Sequence, residues 1–222
     1  MVMEKKYILT EETKVAHGRT LHRIKAVREF NNVKNGDLGG FIESEVNLSH
    51  ETNAWVYNNA MVFGNAKVYG NAMVCDDAKV YGNAIVFGNA WVYNNAMVFG
   101  NAWVYDYARV CDNAKAYDNA NVCGNANIYG HALAKGYANV FGNAMVGSNA
   151  KVSSMTDYIV FKNWWSSGRY FTWTRSNDKW SVGCFYGSGE ELIAKAYKDS
   201  ETSGREYQRI VEYVKSIKKN VI

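Results

Sequence analysis

Asn59-Ala60-Met61-Val62-Phe63-Gly64 is one copy of a unit that runs from residue 53 to residue 154 without an insertion. Asn83-Ala84-Ile85-Val86-Phe87-Gly88 is another, and 17 copies occupy 102 of the 222 residues. A six-residue unit cannot bury its own apolar side, so successive units must stack and share one core. Alternation sends Ala and Val to one side and the residue between them to the other. The unit therefore reads as a short strand with a small and a branched side chain facing inward. The Gly-Asn pair that follows suits a corner, because both residues tolerate positive φ. Three strand-and-corner units close a triangular coil, so the repeat makes between five and six coils. At a strand spacing of about 4.8 Å the column is roughly 27 Å tall.

The slots differ in how strictly they are kept. The inner Val slot holds Val in 14 of 17 units, with Ala116, Ile128 and Ala134 as exceptions. The Asn slot holds Asn in 13 units and is broken by Asp77, Tyr107, His131 and Tyr137. Stacked Asn side chains are expected to form hydrogen-bonded ladders along the corners. The slot after Val is aromatic in 11 of 17 units. Sorted by face, one wall carries Trp55, Tyr57, Trp91 and Tyr93, a second Phe63, Tyr81, Phe99 and Tyr117, and a third Phe87, Trp103 and Tyr105. Apolar patches of that extent are rarely left bare on soluble monomers. Three ways of covering them are open: self-association with cyclic symmetry as a dimer or trimer, docking of the terminal segments, or stacking of the rings between rungs. Trp55, Tyr57, Trp91, Tyr93, Phe63, Phe99, Phe87, Trp103 and Tyr105 are the residues expected at an oligomer surface.

An aliphatic residue followed four places later by a small one, as in Val62 to Ala66 and Val86 to Ala90, resembles the hexapeptide-repeat left-handed parallel β-helix. The resemblance covers nearly half the chain and implies a mainly β fold. Many proteins of that family are acyltransferases that use a CoA donor. Those enzymes add a loop that leaves the coil and a histidine that takes the acceptor's proton. No loop interrupts residues 53–154, and His131, the one histidine of the column, sits in an Asn corner slot. A histidine replacing Asn in a polar corner explains His131 without catalysis, so an enzyme is the runner-up reading with His131 as its base.

The flanks read as separate parts. Residues 1–52 form an N-terminal β cap with an irregular first coil. Tyr7 to Thr10 is expected as a strand, His17-Gly18 as a turn, Arg19 to Phe30 as a longer strand, and Phe41-Ile42-Glu43 as the start of the first rung. An open solenoid end pairs with other chains unless it is hidden, and this segment is the plug. Residues 155–222 form a small α+β domain. Tyr158 to Lys162, Arg169 to Arg175 and Trp180 to Tyr186 are expected as a three-strand meander. Ser188 to Glu191 and Ser203 to Glu206 each match a capping box and should open a helix. Trp164, Trp165, Arg169, Tyr170, Trp173 and Arg175 form the candidate binding cluster, since aromatic planes beside Arg suit a nucleotide, a single-stranded base or a protein hot spot. A core built from Trp is the competing explanation.

Composition limits the partners. The net charge is +4. Residues 1–40 carry eight Lys or Arg against five Asp or Glu, residues 41–154 six against eight, and residues 155–222 eleven against eight. Neither a strong duplex-DNA binder nor an acidic nucleic-acid mimic fits that balance. No long apolar run predicts a membrane span. Cys75, Cys111, Cys123 and Cys184 lack metal-knuckle spacing, and Cys75 and Cys111 lie two coils apart, beyond disulfide reach. Reduced thiols in a cytosol are expected, with no metal and no cofactor.

Over its full length the chain also looks like a group of small bacteriophage and prophage proteins. The shared features are the Leu38 to Glu43 entry, the Asn-Ala-x-Val hexads and the Trp180 to Phe185 segment. That resemblance implies expression in a bacterial host cytosol and binding of a host protein or a small nucleotide signal, with inhibition of a host defence system by analogy. A structural virion component is a further alternative.

Overall fold

The computed structural model describes residues 4–219. β1 (Tyr7–Ala16) and β2 (Arg19–Ala26) form an antiparallel hairpin, turned by His17 and Gly18 at positive φ. β3 (Leu38–Ile42) pairs antiparallel with β2 and parallel with the column, Phe41 against Met61 and Ile42 against Val62. It is thus both the last strand of the cap and the first rung. Gly40 makes this docking possible, because a Cβ there would stand 2.5 Å from the Ala60 carbonyl oxygen.

Seventeen two-residue strands follow, β4 (Trp55–Val56) through β20 (Lys151–Val152). Pairing is parallel with partners one coil apart, as Trp91 pairs with Met73 above and Arg109 below. Every third strand shares a face, giving sheets of nine, six and five strands, the nine including β1–β3. The molecule is therefore mainly β, a parallel β-solenoid of about six turns. Each Ala from Ala54 to Ala150 and each residue of the Val slot is buried in one continuous core.

The corners turn at positive φ as expected, form Asn ladders along two of the three, and carry a device the sequence did not show. The residue before each Asn slot has positive φ in 16 consecutive units, from Asn58 to Ser148. Where Asp occupies that slot, its carboxylate accepts the backbone N–H of the same slot one coil on: Asp76 from Asn94 at 3.0 Å, Asp106 from Gly124 at 3.1 Å, Asp112 from Gly130 at 2.9 Å and Asp118 from Gly136 at 3.1 Å. Asn ladders run along two corners, Asn53 to Asn71 to Asn89 and Asn65 to Asn83 to Asn101 to Asn119. The first ends one coil above Tyr107 and the second one coil above Tyr137, whose rings are exposed and cannot continue an amide chain.

The aromatic walls are covered in more than one way. Phe63, Tyr81, Phe99 and Tyr117 stack face to face at 4.9–5.0 Å, and Tyr69, Phe87 and Tyr105 at 4.9–5.1 Å. Ring stacking at the rung spacing therefore shields much of two walls. Docking of the N-terminal segment hides more. Trp55 is 1% exposed between Tyr7 and Phe30, and Phe63 is 2% exposed beside Leu21 and Phe41. Trp55 and Phe63 are thus interior side chains and leave the expected oligomer surface. Tyr57 also packs against the core, and Tyr93, Phe87, Phe99 and Tyr105 are half-buried. Trp91 and Trp103 remain open, at 42% and 45%.

The C-terminal module departs from the expected meander. It has four antiparallel strands, β21 (Tyr158–Lys162), β22 (Tyr170–Thr174), β23 (Lys179–Val182) and β24 (Phe185–Gly187). The anticipated strand from Trp180 to Tyr186 is broken at Gly183, whose φ of 57° turns the chain. α1 (Gly189–Asp199) opens with the Ser188–Glu191 capping box, as expected. α2 (Glu201–Lys219) starts earlier than Ser203 predicts, because Ser200 accepts the Ser203 N–H and replaces it as the cap. Tyr207, Val211 and Val214 press into the core formed by Phe171, Trp173, Trp180, Leu192 and Ala196.

The two ends of the column need opposite chemistry. Ladder N–H groups point toward the C-terminus, as Met61 N donates to the Ala78 oxygen. The first coil therefore presents bare carbonyls and the last coil bare N–H groups. At the first coil Lys6 Nζ donates to Thr52 O at 2.7 Å and Ala54 O at 2.6 Å, Tyr7 Oη to Leu48 O at 2.7 Å, and Arg23 to Gly39 O at 2.8 Å. At the last coil Phe141 N donates to Tyr158 Oη, Met145 N to Thr172 Oγ1 at 2.8 Å, Lys151 N to Ser176 Oγ at 2.7 Å and Ser153 N to Asp157 Oδ2 at 2.7 Å. Donors close one end and acceptors the other.

Candidate recognition site

The expected binding cluster divides into core and surface. Trp173 is buried, and its indole N–H donates to Asp178 Oδ1 at 2.8 Å. Trp180 is buried beside Phe161 and Phe171. A small domain with few aliphatic residues uses these indoles as its core, so Trp173 is not a binding residue. Trp165 packs edge-on against Tyr207 and Phe171, and its buried Nε1 has no hydrogen-bond partner. Trp164 is 74% exposed, and Arg169, Tyr170 and Arg175 are also exposed. Arg175 lies at the far end of β22 from Arg169, and its backbone N–H anchors to Asp157 O at 2.8 Å.

A cavity of about 360 Å³ opens beside Trp164 in the chain. Its walls come from the 163–169 loop, the Gly183 turn, α1 and the first turns of α2. Sequence alone did not place it, because its parts lie as much as 44 residues apart, as Asn163 and Tyr207 do. The loop is fixed from within. Buried Asn163 donates to Tyr207 Oη at 3.2 Å and accepts from Ser166 N at 2.9 Å and Ser166 Oγ at 3.0 Å. Its own N–H donates to Arg169 O at 2.8 Å, which closes the loop and presents Arg169. Burial pushes the Tyr207 phenol up, so it remains a neutral hydroxyl.

Leu192, Ala196 and Val182 give the cavity an apolar lining, and Arg169, Lys195 and Asp199 charge its rim. The ion pairs of this module run elsewhere: Arg205–Glu201, Arg209–Glu206, Lys215–Glu190 and Lys218–Asp178. Arg169 and Lys195 thus have no carboxylate partner among the described residues. Cys184 is exposed at the lining.

The remaining candidates do not assemble with it. His131 stands exposed at its corner on the column. All four cysteines are free. Burial pushes the Cys75 thiol up to about 11, with Asp76 adding to the effect, so this thiol stays protonated. Among the described residues no helix is long and apolar enough to cross a membrane.

Comparison with known proteins speaks to the column. A family model described as the YdcK beta solenoid repeat matches residues 78–94 and 90–106, two overlapping windows each nearly one coil long. No curated protein matches the chain.

Proposed function

We propose that this chain is a non-catalytic binding protein in which the solenoid is a rigid scaffold and the C-terminal module is the recognition head. The observation that carries the reading is the cavity with its two unpaired cations, Arg169 and Lys195, walled by the loop that also carries the exposed Trp164. Exposed Trp and Arg beside a preformed cavity are the usual ingredients of a binding hot spot. The resemblance to the left-handed hexapeptide-repeat fold and to small bacteriophage proteins supports a partner inside a bacterial host, either a host protein or a small nucleotide signal. Four free cysteines fit a reducing cytosol. Inhibition of a host defence is the biological outcome this reading favours.

The test is capture from bacterial lysate by immobilised protein, alongside thermal shift with a nucleotide panel. A specific partner retained by the wild type and lost in Trp164→Ala with Arg169→Gln supports the reading. Equal capture by both proteins, with no nucleotide shift, would count against it.

Two walls of the column have their own observation. Trp91 and Trp103 stay exposed after both end segments have docked, and Arg109 lies 6.0 Å over the Trp91 ring. These exposed indoles, one on each of two walls, favour self-association as a dimer or trimer. Light scattering on Trp91→Glu with Trp103→Glu tests it: the assembled mass should fall to that of one chain.

A further inference from the structure

We infer that the cavity of the recognition head binds a small organic anion, a phosphate ester or a carboxylate on an apolar body, held between Arg169 and Lys195. This rests on the module being the recognition head, and it names the chemistry of the ligand. The volume of about 360 Å³ falls within the range of small-molecule sites. It is too small to seat a folded protein and large enough for an aromatic acid or a nucleotide.

Three features select the ligand. The lining carries two cations against the single carboxylate of Asp199, so the rim is net positive. The guanidinium of Arg169 lies along the β23–β24 turn, where its Nη1 stands 3.4 Å from the position a Cβ of Gly183 would take. Glycine is needed there for the turn's φ of 57°, and the Asn163 hydrogen bonds hold the loop that delivers Arg169. Lys195 comes from α1, a separate element, so the backbone positions of the two cations are set before a ligand arrives. Leu192 and Ala196 are buried side chains on the same helix and provide the apolar floor. A hydrated inorganic ion would leave that floor unused, whereas an anion with a flat or aliphatic body covers it. The hydroxyls of Ser167 and Ser203 supply donors to the anion's remaining oxygens.

The experiment uses the full chain and four probes: adenosine monophosphate, benzoate, inorganic phosphate and uncharged adenosine. Calorimetry measures affinity, and mass spectrometry follows the iodoacetamide labelling rate of Cys184, the exposed thiol at the lining. Adenosine monophosphate or benzoate should bind and slow the labelling, and adenosine should do neither. Which of the two binds better tells a phosphate site from a carboxylate site. Neutralising either cation, as Arg169→Gln or Lys195→Gln, should weaken the bound probe about tenfold. Both side chains are exposed, and unchanged thermal unfolding will show that the variants fold.

The inference is overturned if no organic anion binds, if inorganic phosphate binds as tightly as either organic acid, or if affinity is unchanged when Arg169→Gln and Lys195→Gln are combined. If the anions fail while Trp164→Ala still abolishes capture of a lysate partner, the ligand class is wrong and the recognition head stands. If capture is equally indifferent to Trp164 and Arg169, the head itself is the wrong site.

Discussion

The two ends of this solenoid solve one problem with opposite chemistry, and they differ in what is left over. At the carbonyl end several basic side chains are committed to closure or to ion pairs. Lys6 and Arg23 cap carbonyls, Lys5 pairs with Glu45, Arg19 with Glu43, and Arg28 reaches His50 O at 3.3 Å. At the N–H end closure needs acceptors, so hydroxyls and one carboxylate do the work. No cation of that module is spent on backbone closure: Arg205, Arg209, Lys215 and Lys218 pair with carboxylates, and Arg169 and Lys195 line a cavity. Direction of the ladder thus decides which end spends cations on backbone carbonyls, and at the other end Arg169 and Lys195 are left to line the cavity of the recognition head.

The largest effect is expected where closure is most deeply buried. Lys6 is fully buried, and its ammonium satisfies two carbonyls and lies 4.9 Å from the Phe30 ring centre. Lys6→Met leaves both carbonyls without donors and should cost roughly 3–5 kcal/mol, read from the urea midpoint. An unchanged midpoint would mean that the carbonyl end is not closed this way.

The same residue sets a pH dependence. Burial, and then the charge of Arg28, lower the Lys6 pKa to about 7. Below that value the folded and unfolded chains both carry the charge, and folding bears its full desolvation cost. Between about pH 7 and about pH 10 the unfolded chain holds a proton that the folded chain has released, so stability rises with pH. The neutral amine still has two N–H groups for its two carbonyls. Urea melts across this window should show the rise in the wild type and not in Lys6→Met.

A smaller loss is expected at the other end. Thr172 is buried and accepts one N–H, that of Met145. Thr172→Val keeps the shape and removes the acceptor, for about 1–2 kcal/mol by the same measurement. A loss as large as that of Lys6→Met would erase the asymmetry between the ends. The smallest effect belongs to the column itself. Tyr107→Asn fills the break below Asn89 and should raise the stability read from the midpoint by about 0.5 kcal/mol through an extended amide ladder.

These differences also explain what could be read from the sequence. The column was legible because each unit repeats the same local instruction: Ala and Val inward, a positive-φ residue next, Asn at the corner. The fate of Trp55 and Phe63 was not, because they occupy the same slots as exposed rings and only docking by the cap distinguishes them. The break at Gly183 was hidden inside a run with strand-like composition. Ser203 matched a capping box, yet Ser200, three residues earlier, took the cap. The cavity escaped because Asn163, Arg169, Gly183 and Lys195 meet only after the module folds. Trp164 and Arg169 could be singled out, but core indoles such as Trp173 carry the same sequence signal.

The most direct measurement compares neutralisation at the two ends in one pair of assays, thermal unfolding and protection of Cys184 by a bound organic anion. Lys5→Gln with Arg19→Gln should lower the unfolding temperature slightly and leave protection intact. Arg169→Gln with Lys195→Gln should leave the unfolding temperature unchanged and abolish protection. Protection that survives in the second protein, or that disappears in the first, would contradict the assignment of recognition to the N–H end.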